Sequence, residues 1–354
     1  HGYSRIINNQ RVYTSIRTPV YPLFLAGIYV LAGHNYTVPK IIQAILGALV
    51  CVMIFFIAST IYGTAVGLIS SLLTALYYPF IGGLAYYGGP ASLFSEYFFM
   101  FMISVSVLSL MLFIKTNKAL YAIITGLLFG LTILTRSEFV GFAVLLLFYA
   151  LIRNKFSPSK MFKKYFVIFC MIVVVFIPWV ARNYIVHKKF IPLSTLGGFV
   201  FWVGNQRLAD GGLAYDDDVI AKASGLSEYD MDRYYFKKGI SDIFANTARI
   251  PRLIFRKIIV HWAPFEEGRK LFNLPYAIIL CLAAAGILLF RQHSPIENIL
   301  LLLLASTTIV AMATFGDPRY RYAFEPYLII FSGLTISRVA IYIRDKLFLR
   351  KIKD

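Results

Sequence analysis

The chain has 354 residues, of which 59% are hydrophobic and 15% charged, and its mean hydropathy is +0.71. Soluble domains carry about 25% charged residues, so a soluble globular fold is set aside and an all-α polytopic membrane protein is expected. The balance is basic, with 35 Lys and Arg against 17 Asp and Glu. No basic cluster sits on a soluble domain, which argues against nucleic acid as a partner and for membrane lipids or a phosphate-bearing substrate.

In chain order, residues 1–38 read as a non-cytoplasmic loop with a short interfacial helix at 23–32. The sequence starts at His1 with no targeting segment. An arm outside the membrane needs an earlier span, so an upstream segment is expected. A hydrocarbon core of about 30 Å asks for about 20 apolar helical residues. On that measure spans fall at 40–61, 64–80, 94–114, 119–135, 139–152 and 164–180, making a transmembrane core of about six spans over 39–180. Residues 181–272 form a non-cytoplasmic amphipathic segment. Three more spans, 273–290, 296–313 and 324–343, and a cytoplasmic basic tail make up 273–354. Alternation of the barrel type is absent, so helices must satisfy the backbone in lipid. Orientation follows from the basic linkers "KTNK" and "RNKFSPSKMFKK", Arg291 and the tail, which share one side. Cys51, Cys170 and Cys281 all lie in apolar runs without disulfide or metal spacing.

Two charged positions stand out. In "GLTILTRSEFVG", Arg136 and Glu138 separate two apolar runs. The 34 residues between Lys118 and Arg153 give about 51 Å of helix, whereas two spans need about 60 Å. The Arg136 turn is therefore expected below the outer membrane surface. There the arginine either snorkels, pairs with Glu138, or forms the cationic floor of an outward cavity. Between Ile41 and Ile114 the one charged residue is Glu96. It is either an N-terminal helix residue favoured by the macrodipole or a carboxylate aimed into the same cavity. An acid and a cation so placed suit group transfer from a phosphate carrier: the acid orients or deprotonates a hydroxyl, and the cation stabilises the departing phosphate.

The remaining candidates are weaker. Arg17 precedes Pro19, Tyr21 and Pro22. Arg319 and Arg321 sit among aromatics in "GDPRYRYAFEP", either as belt residues or as a phosphate clamp. Arg182 ends "PWVAR", and Asn205 lies in the Gly- and aromatic-rich "PLSTLGGFVFWVGNQ", a composition suited to sugar or lipid contacts. Asp216, Asp217 and Asp218 read as a solvated turn, and His187 and His261 as interfacial. Residues 227–262 read as amphipathic helices on the membrane surface. No metal site, nucleotide-binding glycines or catalytic triad is apparent; a divalent cation stays open as a cofactor.

The stretches "RTPVYPLFLAGIY" (17–29), "SE" (95–96), "GLTILTR" (130–136), "PWVARNY" (178–184), "PLSTLGGFVFWVGN" (192–205) and "RYRYAFEPYLII" (319–330) resemble the GT-C superfamily of polyprenyl-phosphate-sugar-dependent glycosyltransferases. The likeness is greatest to the glycosyltransferase family 39 group, with protein O-mannosyltransferases and the aminoarabinose transferase. The resemblance implies a GT-C-like bundle of about nine transmembrane helices. It implies inverting transfer of a hexosyl or pentosyl unit from a polyprenyl-phosphate sugar to a lipid, glycan or protein acceptor. The reaction would take place on the non-cytoplasmic face, in a bacterial inner membrane. By the same resemblance Glu96 is the second acidic position, Arg136 meets the carrier phosphate and Arg17 is a basic position of the first loop. The first acidic position would precede Gly2–Tyr3, upstream of this sequence. A lipid-linked sugar flippase, or a glycan polymerase or ligase, is the rival reading.

Overall fold

The structure is a computed structural model that describes residues 3–7, 10–82, 93–153, 160–266 and 271–351. Parts of the expected 81–93 loop, of the 153–164 linker and of the C-terminal tail, and the Gly2 attachment point, lie outside the described residues.

An antiparallel hairpin opens the chain, β1 (Ser4–Ile7) with β2 (Gln10–Tyr13). Helices α1 (Val20–Ala32), α2 (Thr37–Tyr62), α3 (Thr64–Leu76) and the short α4 (Tyr78–Gly82) follow. Next come α5 (Ser95–Thr116), α6 (Ala119–Ile133), a 3-10 turn at Ser137–Phe139, α7 (Val140–Arg153) and α8 (Lys160–His187). The amphipathic segment holds α9 (Gly197–Asn205), α10 (Asp217–Ala223), α11 (Glu228–Ala245), the turn Thr247–Arg249 and α12 (Ile250–Trp262). A two-residue hairpin, β3 (Phe265–Glu266) with β4 (Leu271–Phe272), leads to α13 (Leu274–Leu289), α14 (Pro295–Ala313), α15 (Pro318–Tyr322) and α16 (Glu325–Lys351).

Five of the described helices are long and apolar enough to cross a membrane: α2, α5, α8, α14 and α16. Shorter apolar helices, α1, α3, α6 and α13, supplement them. Every expected span thus falls on a helix, but length alone does not establish nine crossings. One boundary differs. The helix that holds the expected span 164–180 runs on to His187, with Pro178 inside it, so the division expected at 180 falls within α8. The indole N–H of Trp179 donates to the Leu193 carbonyl at 2.6 Å, tying the following loop back to α8.

The chain divides into two compact units. The first comprises 1–34, 115–263 and 305–321. In it α6 packs along α8, and "GLLFG" explains how. A Cβ on Gly126 would stand 2.5 Å from the Ile168 carbonyl oxygen, and one on Gly130 2.6 Å from the Val175 Cβ. Two small residues one turn apart let the backbones approach, the means by which helices associate where lipid removes the hydrophobic drive. Helix α9 packs on α11 around Trp202, Val203 and Tyr235. Ser227 caps α11 by accepting the Asp230 N–H at 3.2 Å, with Glu228 and Asp230 complementing the dipole in the first turn. Phe244 (74% exposed) and Phe255 (64%) face out, while Tyr235, Leu253, Lys257 and His261 face in.

The second unit comprises 35–114, 264–304 and 322–354. Its helices α2, α3, α13 and α16 pack together and fasten through polar side chains. The Ser332 and Thr335 hydroxyls donate to the Ile279 and Leu282 carbonyls at 2.8 and 2.7 Å. The Tyr77 phenol donates to Glu325 at 2.9 Å.

Candidate functional site

The first unit builds a cationic site by strapping its N-terminal arm across two helices. Glu228, at the start of α11, accepts from the Thr14 hydroxyl at 2.9 Å, the Ser15 N–H at 2.6 Å and the Thr195 hydroxyl at 2.5 Å. Arg182, near the end of α8, donates through Nη1 to the Thr14 carbonyl (2.8 Å), Ser15 Oγ (2.9 Å) and Asn183 Oδ1 (2.9 Å), and through Nη2 to the Tyr3 carbonyl (2.6 Å). Its guanidinium also lies over the Tyr3 and Trp179 rings, 5.5 and 5.2 Å from their centroids. Ser15 is fully buried and meets Asn183 Oδ1 at 2.7 Å and His187 Nε2 at 2.9 Å.

Past this anchor the chain reaches the end of α6. The Thr18 hydroxyl donates to the Thr135 carbonyl at 2.9 Å, and the Val20 N–H to the Leu134 carbonyl at 3.0 Å. Arg17 and Arg136 are the immediate chain neighbours of the two threonines so joined. The strap therefore brings together two cations that are remote in sequence. The Tyr3 phenol donates to the Arg17 carbonyl at 3.1 Å. Burial pushes that phenol up to about 12, against the opposing pull of the Arg182 and Arg17 charges. Tyr21, the next expected contact, is buried and stacks on Phe24 at 6.1 Å.

Arg136 has extended backbone, φ −148° and ψ 123°, at the break between α6 and the 3-10 turn. Its Nε donates to Glu138 Oε1 at 2.8 Å and its Nη2 to Oε2 at 3.4 Å, with side-chain exposures of 13% and 12%. The ion pair weighed from the sequence is thus formed. The guanidinium also stands 5.8 Å from the Tyr320 ring centroid. Burial first, then the Glu138 charge, raise the Tyr320 phenol so that it stays a neutral donor. Arg319 adjoins Tyr320, and its N–H is held by Asp317 Oδ1 at 2.7 Å. The Thr18–Thr135 bond puts the backbones of Arg17 and Arg136 side by side, with the Tyr320 ring next to the Arg136 guanidinium. Guanidinium groups match the charge and geometry of a phosphate ester.

Three other expected contacts have internal duties. Arg182 spends its donors on the arm. Arg321 is 1% exposed, and its Nη1 donates to the His261 and Ala263 carbonyls at 2.6 and 3.0 Å. Instead of clamping a substrate, it closes the end of α12. Asn205 is buried; its Nδ2 donates to the Phe201 and Ala313 carbonyls, and its Oδ1 accepts from Lys257 Nζ at 2.9 Å. His261 is not interfacial but fully buried, with burial and the Arg321 charge holding it down to about 3. Asp216 leaves the expected solvated turn: it is buried, precedes α10 and pairs with Arg207 at 2.8 Å, whereas Asp217 and Asp218 are exposed. Glu96 lies in the second unit, buried in the first turn of α5. Among the described residues no three His, Cys, Asp or Glu side chains gather to hold a metal ion.

Sequence reasoning missed Glu228 and Lys257. A signal for Lys257 was present: it continues the buried stripe of α12, four residues from Leu253 and from His261. Nothing in the sequence distinguished Glu228 from the other charges around it.

Solved structures show the same fold. An oligosaccharyltransferase from Archaeoglobus fulgidus, tethered to an acceptor peptide containing the NVT sequon, matches with TM-score 0.57 and 16% identity, over 97% of this chain and 43% of that one. Its apo form gives 0.57 and 16%, over 98% and 46%. The archaeal oligosaccharyltransferase AglB from the same organism, in complex with an inhibitory peptide and a dolichol-phosphate, gives 0.55 and 17%, over 96% and 44%. The chain thus spans under half the length of these proteins. No curated protein sequence matches it. Residues 16–181, just under half of the chain, match the family described as dolichyl-phosphate-mannose-protein mannosyltransferase, a stretch that holds Arg17, Glu96 and Arg136.

Proposed function

We propose that this chain is the membrane part of a glycosyltransferase that moves a sugar from a polyprenyl-phosphate carrier to a hydroxyl of a lipid, glycan or protein. The reaction takes place on the non-cytoplasmic face of a bacterial inner membrane. The observation that carries this reading is the strap, which sets Arg17 and Arg136 on either side of the Thr18–Thr135 hydrogen bond, with the Tyr320 ring 5.8 Å from the Arg136 guanidinium. A guanidinium offers paired donors to phosphate oxygens and stays charged throughout. In the proposed reaction Arg136, assisted by Arg17 and Arg319, receives the carrier phosphate and stabilises the charge that grows on it as the glycosidic bond breaks. Glu138 keeps Arg136 in place between turnovers. Glu96 is the proposed carboxylate that draws the proton from the acceptor hydroxyl as its oxygen attacks the anomeric carbon with inversion.

The test uses the full-length protein in liposomes with a panel of labelled polyprenyl-phosphate sugars, scored for free polyprenyl phosphate and for glycoside. Glu96→Gln is expected to lower turnover by about 10²–10⁴ while leaving carrier binding intact, the usual worth of a general base. Arg136→Gln is expected to weaken carrier binding itself. Labelled lipid crossing the bilayer without glycoside formation would replace the transferase with a flippase.

A further inference from the structure

The second unit holds a cavity whose lining none of the residues assigned to transfer enters. A cavity of about 470 Å³ opens between the end of α13 and the latter half of α16, lined by Leu289, Phe290, Arg291, Arg338, Tyr342 and Asp345 among others. Its chemistry is split. Leu289 and Tyr342 are exposed apolar surface, 72% and 66%, of the kind that meets acyl chains. Arg291 and Arg338 supply positive charge at the same opening. Arg291 is held from behind rather than left to wander. Its Nη2 donates to Asn298 Oδ1 at 3.0 Å, and its Nε stands 4.0 Å from Glu297. Glu297 is fully buried and is fixed in turn by the Tyr62 phenol at 2.6 Å and the Gln292 N–H at 3.0 Å. The buried Nε of Arg291 has no acceptor at hydrogen-bonding distance. The one lining acid, Asp345, is neutralised by Arg344 at 2.9 Å.

We propose that this cavity binds the phosphodiester headgroup of an anionic phospholipid, with Arg291 and Arg338 on the phosphate and an acyl chain against Leu289 and Tyr342. A basic pocket between membrane helices, with apolar walls on its lipid side, selects headgroup charge in this way. The buried chain Tyr62–Glu297–Arg291 sets the guanidinium in advance, so little ordering accompanies binding. The site takes no part in the proposed transfer and stands or falls apart from it.

The test uses the full chain in phosphatidylcholine nanodiscs. Phosphatidylglycerol is titrated in, and bound lipid is read by native mass spectrometry. The wild type is expected to retain phosphatidylglycerol over phosphatidylcholine, with the preference falling about fivefold for each arginine removed, in Arg291→Gln and Arg338→Gln. Lys118→Gln, which changes net charge equally, should leave the preference intact. If it lowers the preference as much as the arginine variants do, general electrostatics is the cause and the site is refuted. Unchanged preference in Arg338→Gln also refutes it; that exposed residue decides the matter if Arg291→Gln leaves Glu297 stranded and fails to fold. Soluble glycerol phosphate is the final arm. If it displaces the lipid at equal concentration, the ligand is a free phosphate ester and the lipid assignment is overturned.

Discussion

Removing the Glu228 carboxylate should release the strap without unfolding the protein. Glu228→Ala deletes three acceptances, from Thr14, Ser15 and Thr195, at 2.9, 2.6 and 2.5 Å. The Ser15 amide is the costly one, because Ser15 is fully buried and its N–H is left without its acceptor. Hydrogen bonds to a charged group contribute about 1.5–3 kcal/mol each, and an orphaned buried donor costs about 1–3 kcal/mol. Arg182 still holds the Thr14 carbonyl and Ser15 Oγ, so the full sum is not lost, and about 3 kcal/mol is a fair net figure. At about 1.4 kcal/mol per tenfold change, opening of residues 14–20 should become about a hundredfold more frequent. Hydrogen–deuterium exchange on the full chain in nanodiscs reads this directly, as faster exchange confined to peptides covering 14–20 and 195. Glu228→Gln, which keeps an acceptor oxygen, should fall between. Unchanged exchange over 14–20 in Glu228→Ala would show that Arg182 alone holds the arm and would refute the reasoning.

Gly126→Ala should loosen α6 from α8, because the new methyl meets a backbone carbonyl that cannot turn aside; a cost of about 1–3 kcal/mol should appear as a lower melting temperature. Lys257 predicts a pH effect. Burial, with help from Arg249, brings its amine down to about 8, whereas an unfolded lysine titrates near about 10.4. Between those values the unfolded chain binds more protons, so stability rises with pH through that window, by up to about 1.4 kcal/mol per pH unit. Lys257→Met should remove this rise, and parallel melting curves of wild type and variant from pH 7 to 10 would argue against it.

Much of the fold was legible because lipid imposes a simple rule on sequence: long apolar runs become helices. The runs over α2, α5 and α14 matched to within a few residues. Helix α8 runs past the boundary expected at 180 because the apolar run stops there while the helix goes on, its later turns tied by Trp179, Arg182 and Asn183 to distant parts of the chain. The Arg136–Glu138 pair was one of three alternatives that the spacing left open, and the geometry forms it. The strap was not legible, because the partners of Thr14, Ser15 and Thr18 lie far along the chain and no local pattern encodes them. Arg182, Arg321 and Asn205 looked like ligand contacts for the same reason: a polar group facing a distant carbonyl reads, in one dimension, like a polar group facing a substrate.

The arm's contacts also set a timetable for assembly. Thr14 meets Glu228 across 214 positions, and Tyr3 meets Arg182 across 179. A ribosome delivers about 5–20 residues each second, so the earliest part of this chain waits on the order of ten seconds or more for its partners. During that wait Thr18 and Val20 can meet the end of α6, but Tyr3 and Thr14 still await Arg182 and Glu228. The corner that Glu228 ties down is thus among the later features of its unit to set, and a nascent chain stalled before residue 228 would carry α1–α10 with that tie still unmade.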